Sequence, residues 1–211
     1  MKTLFAACFV LITVLSAAGT ICGQPHPAHP QPPPVSKPLA NDKSPSDAAA
    51  KYFPNTELIT QDGQKVKFYD DLLKDKFVLI NFMFTTCQGV CGPMTANLSK
   101  VQQSLGQDVS KQVTFISISV DPTTDTPERL KEYANKFKVQ PGWYFLTGKK
   151  QDVDLVLYKL GGYVEDKNAH NSILILGNSS TGEWAKIHAM AKPSEIATTI
   201  NKMLTTADSK R

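Results

Sequence analysis

Residues 76–84 form a nearly unbroken apolar run, carrying Phe77, Val78, Leu79, Ile80, Phe82, Met83 and Phe84, and they lead directly into a pair of cysteines, Cys87 and Cys91. A strand with no polar alternation has no face to offer to water, so it must be covered on both sides. That requirement excludes a simple one-sided hairpin sheet and calls for helices above and below. The following residues, 92–106, place Met94, Leu98, Val101 and Leu105 at helical spacing. A buried strand, a cysteine turn and a helix therefore succeed one another without a break.

The remaining elements extend this pattern. Residues 57–60 and 65–68 flank an Asp62-Gly63 turn and read as a hairpin. Residues 113–120 give a second core strand, and Thr126-Pro127 opens a helix reaching Phe137. Residues 143–147 form a third strand, followed by a helix over 152–160 that ends at Gly161-Gly162. Residues 172–176 and 183–188 form a late hairpin, and a helix over 193–204 closes the chain. Strands alternating with helices predict an α/β three-layer sandwich around a mixed central sheet. Delivery of a cysteine turn from a central strand to a helix start matches the thioredoxin-like plan.

The chain of 211 residues suits one domain with appendages. Lys and Arg (23) exceed Asp and Glu (19) only slightly and form no basic stripe, which argues against nucleic-acid binding. Residues 1–23 read as an export signal: Lys2, an apolar stretch from Leu4 to Leu15, then Ser16-Ala17-Ala18-Gly19. A retained membrane anchor is the alternative, and lipidation at Cys22 a third. Each places the domain outside the cytoplasm, in the periplasm, either soluble after cleavage or anchored to the inner membrane. Residues 24–47 hold eight of the 14 prolines and read as a semi-rigid linker, with His26 and His29 as solvated residues. The domain is expected over 48–205, with a tail at 206–211.

Cys87 and Cys91 are the only cysteines after the leader region, where Cys8 and Cys22 lie. An exported cysteine pair implies a disulfide or a ligand set. A helix N-terminus favours thiolate, which serves a nucleophile and a metal ligand equally. The three intervening residues, Gln88-Gly89-Val90, exceed the two usual in redox thioredoxins, and Gly89 lets the backbone bend away. A disulfide across the turn remains possible if the Cα atoms approach within about 7 Å, but so short a loop adds little stability. Two soft sulfurs suit Cu(I) or Zn(II) and leave either ion under-coordinated. His170, in a loop just before a strand, is better placed to join them than His188, which ends a strand. Asp121-Pro122 reads as a turn, and Asp125 or Thr126 as a helix cap.

Three segments together carry a resemblance to the Sco/SenC family: Asn81 to Cys91 with Pro93-Met94-Thr95, Ser119 to Pro127, and His170 ahead of its strand. The resemblance implies a thioredoxin-like fold with an extra hairpin and a membrane-tethered copper protein that helps to metallate the dinuclear copper site of cytochrome c oxidase. It implies Cys87 and Cys91 as sulfur ligands and His170 as nitrogen ligand, with Asp121 and Asp125 in a supporting acidic loop. Cu(I) would be roughly trigonal, and Cu(II) could add a donor. The implied partners are a copper-receiving oxidase subunit and a thioredoxin-like reductant. Two departures stand out. Gly92 separates Cys91 from Pro93, where many relatives have proline at once, and alignment on Ser172 puts Asn171 in the ligand position.

The rival reading is an extracytoplasmic thiol–disulfide oxidoreductase that reduces the cysteines of a copper-site partner, with Cys87 and Cys91 as the redox-active pair. Redox thioredoxins usually place a proline in the loop facing the dithiol, and this chain has none between Pro141 and Pro193. A peroxidase fits less well, because Thr85 and Thr86 stand where a proline is expected.

Overall fold

The computed structural model describes residues 44–209. The expected leader and most of the linker, with Cys8, Cys22, His26 and His29, lie outside the described residues. Among those described, no helix is long and apolar enough to cross a membrane.

Seven strands form one mixed sheet: β1 Glu57–Thr60, β2 Lys65–Lys67, β3 Phe77–Met83, β4 Val113–Ser119, β5 Trp143–Thr147, β6 Ile173–Asn178 and β7 Glu183–His188, in spatial order β2-β1-β5-β4-β3-β6-β7. The core strands β3, β4 and β5 run parallel, whereas the hairpins at either edge join antiparallel. This is the expected α/β sandwich. Every residue of β3 is buried, as its nearly unbroken apolar sequence requires, and the one polar residue, Asn81, accepts the Ser117 hydroxyl. One face packs Leu79 and Met83 under α2 (Cys91–Ser104), α4 (Pro127–Lys136) and α6 (Pro193–Ser209). The other packs Val78, Ile80 and Phe82 under α1 (Pro45–Tyr52) and α5 (Lys150–Leu160).

Several boundaries differ from the sequence reading. Helix α1 starts inside the stretch read as linker, with Ser44 Oγ accepting from the Asp47 N–H and Pro45 in the first turn. Buried Ala49 and Phe53 join the core and hold this helix to the domain. A wide turn, Phe68–Leu73, takes in Phe68, expected at the end of the hairpin strand, and a short helix α3, Gly106–Gln112, fills a connection to which the sequence assigns no element. Helix α6 continues to Ser209, into the residues expected as a tail.

The glycine pair after α5 does two separate jobs. Gly161 takes the left-handed conformation (φ 71°) that ends the helix. Gly162 lies against the ring of Phe82 in β3, where a Cβ would come within 2.3 Å of Cζ. Phe82 is fully buried and cannot swing into solvent. Gly162→Ala is therefore expected to destabilise the domain by about 3 kcal/mol through overpacking. Thermal unfolding should show Tm lowered by about 6–12 °C.

The topology also explains where a site can form. The turn after β3 and the loop after β4 leave the sheet at the same edge, because the two strands are parallel. Strand β6 enters from that edge, its Leu174 pairing with Asn81. Three loops, carrying Cys87, Asp121 and His170, therefore converge there.

Candidate metal centre

Cys87, Cys91 and His170 meet at this edge, with their donor atoms all within 4.8 Å of one another. Cys91 Sγ lies 3.2 Å from His170 Nε2. Both thiols are free. The local fold accounts for the arrangement. Cys91 is the first residue of α2, and Val90 caps the helix without a side-chain hydrogen bond. Helix-terminal N–H groups are thus left to the Cys87 sulfur.

The two thiols are unequal. Burial opposes ionisation of Cys87, but hydrogen bonds from the Cys91 thiol and from the backbone of Cys91, Gly89 and Val90 outweigh it and lower its pKa. Burial, then the hydrogen bond to Cys87, pushes Cys91 up to about 12. The pair accordingly holds its first negative charge on Cys87. Cys91 is also fully buried, whereas Cys87 is half-buried. Iodoacetamide is expected to alkylate Cys87 at least about tenfold faster than Cys91, because the thiolate is the nucleophile. Mass spectrometry of a time course checks this, and equal rates would contradict it.

His170 is buried, and desolvation lowers its pKa, with the backbone of Asn171 offsetting only part of the effect. A neutral imidazole is the form that binds a metal. Asn171 is exposed, so the residue facing the thiols is His170. His188 stands outside the group, exposed, with Nδ1 accepting the Met190 N–H. Gly89 adopts no left-handed conformation, and a Cβ there would meet Cys87 Sγ only at 4.0 Å. The bend at this position does not depend on glycine.

Asp121 and Asp125 also lie outside the donor group. Thr126, not Asp125, caps α4, its Oγ1 accepting the Arg129 N–H. Asp125 is fully buried and faces the cysteine turn instead. Its two oxygens accept the Thr85 N–H at 3.1 Å, the Thr85 hydroxyl at 2.5 Å and the Ser119 hydroxyl at 2.6 Å. Asp121 accepts from Lys167 Nζ at 2.6 Å and from the Thr123 hydroxyl. Burial works against its ionisation, but Lys167, Thr124 and Thr123 hold its pKa below the usual range. Lys167 was not visible as a site residue in the sequence, since a lysine three positions before a loop histidine carries no signal. Phe84, which packs edge-on against His170, lies in the strand run and in the segment that carries the resemblance, but nothing in the sequence marks it as a neighbour of His170.

The donor set has clear chemical limits. Two sulfurs and one imidazole suit a soft ion and leave no oxygen donor among the three, which disfavours Mg²⁺ or Ca²⁺. A cleft of about 600 Å³ lies at the opposite end of the strands beside Lys76, Lys111 and Asn178 and shares no residue with the group.

A family model described as SCO1/SenC matches residues 44–205. Among curated proteins, the SCO1 protein homolog of Bacillus subtilis (strain 168) is 39% identical over 92 residues, covering 43% of this chain and 46% of that protein. The chain spans about a third to two thirds of the length of the curated relatives it matches. Among solved structures, Bradyrhizobium japonicum ScoI with copper bound is 27% identical with a TM-score of 0.58, covering 69% of this chain and 95% of the other. BsSco, described as a member of the Sco family of cytochrome c oxidase assembly proteins with a disulfide switch, is 26% identical with a TM-score of 0.58, covering 70% and 90%. The thioredoxin-like fold is common to them.

Proposed function

The chain belongs to the SCO1/SenC family, and we propose that it binds copper through Cys87, Cys91 and His170 and delivers it during assembly of cytochrome c oxidase. The observation that carries this reading is the convergence of two thiols and one imidazole, donor atoms within 4.8 Å, at one edge of the sheet. Soft sulfur donors with a nitrogen suit Cu(I). Binding displaces two thiol protons, and both cysteines must be reduced beforehand, which calls for a thioredoxin-like reductant. Delivery proceeds by ligand exchange, the donors of the dinuclear copper site in the recipient subunit replacing the three residues in turn. Half-buried Cys87 is the donor an incoming ligand reaches first. The leader over residues 1–23 supports a periplasmic site of action, with the N-terminus available for membrane association.

The second reading is reduction of a partner's disulfide by Cys87 and Cys91. The free thiols and the lowered pKa of Cys87 favour it, as does the disulfide switch ascribed to BsSco. Against it, the loop facing the dithiol presents His170 where redox thioredoxins present proline. The discriminating experiment titrates the reduced full-length protein with Cu(I) against a competing chelator and repeats the titration with His170→Ala. The copper reading expects a one-to-one complex that His170→Ala weakens by about tenfold or more, beyond the lower end of losses from outer-shell changes. Unchanged copper binding in His170→Ala, together with disulfide reduction that depends on Cys87, would favour the oxidoreductase.

A further inference from the structure

The second ring nitrogen of His170 is not anchored to any group outside its own loop. In metal-binding histidines the nitrogen facing away from the ion ordinarily donates to a carboxylate, a carbonyl or water, and that bond fixes the ring. Here Nε2 faces Cys91, while buried Nδ1 makes no well-formed hydrogen bond and has only the backbone of Asn171, in the same loop, beside it. The direction of the imidazole therefore depends on the loop that carries it. That loop is exposed at Tyr163, Glu165, Asp166, Asn168 and Ala169 and contains only a single 3₁₀ turn, Lys167–Ala169.

One charged contact ties the loop to the rest of the site. Lys167 Nζ donates to Asp121 Oδ2 at 2.6 Å, joining residues 46 positions apart, with the Asp121 side chain only 9% exposed. The same ammonium lies 5.2 Å from the centroid of the Phe84 ring, and Phe84 packs edge-on against His170 at 5.6 Å. Asp121 is itself anchored. Its N–H donates to Ser119 Oγ, whose hydroxyl donates to Asp125, which in turn accepts from Thr85 two residues before Cys87. The loop after β4 thus holds the cysteine side through Asp125 and the histidine side through Asp121.

We propose that the Lys167–Asp121 ion pair is a clasp that holds the His170 loop against the cysteine turn, making Lys167 and Asp121 positioning residues for the third donor rather than ligands. This rests on the copper reading of Cys87, Cys91 and His170. The clasp sets the fraction of molecules in which the imidazole faces the dithiol, and apparent affinity falls in proportion to that fraction.

The test uses the full-length reduced protein with Lys167→Gln, Lys167→Arg and Asp121→Asn, each with and without His170→Ala. Cu(I) affinity is read by chelator competition, and hydrogen–deuterium exchange over residues 163–172 is read without metal. Lys167→Gln and Asp121→Asn are expected to weaken Cu(I) binding about fivefold, the scale of a partly exposed ion pair acting on the competent fraction. Lys167→Arg should stay within about twofold of the parent, since guanidinium also pairs with carboxylate. With His170→Ala present, neither Lys167→Gln nor Asp121→Asn should weaken binding further. In the metal-free protein, exchange over 163–172 should rise in Lys167→Gln and Asp121→Asn and stay unchanged in Lys167→Arg.

Unchanged exchange in Lys167→Gln would overturn the clasp. So would an equal loss of affinity in the His170→Ala background, which would mark a direct effect of charge on the thiolates, or Asp121 acting as a ligand. If His170→Ala binds Cu(I) as tightly as the parent, the ligand set fails instead. The metal-free exchange then still decides the clasp, supporting it if exchange rises and overturning it if not.

Discussion

Cys91→Ala is expected to abolish one-to-one Cu(I) binding in the chelator competition, with Cys87→Ala close behind. Either substitution leaves one sulfur and one imidazole, and the loss should exceed the roughly 10–100-fold that accompanies outer-shell changes. Cys91 is the more damaging position for geometric reasons. Its sulfur is fully buried and lies 3.2 Å from His170 Nε2, so removing it also takes away the imidazole's one side-chain hydrogen bond. Cys87 sits at the half-buried rim, where an exogenous thiol can take its place. Added glutathione should therefore restore part of the binding to Cys87→Ala and little to Cys91→Ala. Equal rescue of both would contradict the difference in burial.

Asp125→Ala should produce the largest loss of stability among the site residues. The carboxylate is fully buried and receives the Thr85 N–H, the Thr85 hydroxyl and the Ser119 hydroxyl. Truncation strands those donors, each of which contributes about 1.5–3 kcal/mol when the acceptor is charged, though not additively. We expect a drop of about 4 kcal/mol in the free energy of unfolding by urea, within the range for breaking a buried charged network. Thr85→Val removes the hydroxyl but keeps the backbone donor, and should lose about 1–2 kcal/mol. A loss under about 1 kcal/mol for Asp125→Ala would show that water satisfies these groups instead. Because Thr85 precedes Cys87 by two residues, Asp125→Ala should also loosen the cysteine turn and weaken copper binding.

Most of the scaffold was legible because its signals are local. The apolar run ending at Phe84, the alternation of strands with amphipathic helices and the Asp62-Gly63 turn each specify an element from neighbouring residues. Helix α1 was missed although Ser44 and Pro45 form a proper N-terminus, because the prolines before them dominate the composition. The chemical site was legible in part. A helix-head cysteine pair and a loop histidine can be read from order and spacing, yet the choice between His170 and Asn171 is made by packing against Phe84 and Cys91. Asp125 read as a helix cap because Asp-Thr-Pro is a good capping sequence; its actual partner, Thr85, lies 40 residues earlier. The Lys167–Asp121 pair joins two polar loops through tertiary topology alone, and no local pattern announces it.

We propose a three-donor copper site of two sulfurs and one nitrogen. X-ray absorption at the copper edge, on the reduced protein loaded with one equivalent of Cu(I), tests it most directly. The expected spectrum is that of a three-coordinate ion with two sulfur neighbours and one imidazole nitrogen, the nitrogen disappearing in His170→Ala. A spectrum with two sulfurs alone, unchanged by His170→Ala, would contradict it.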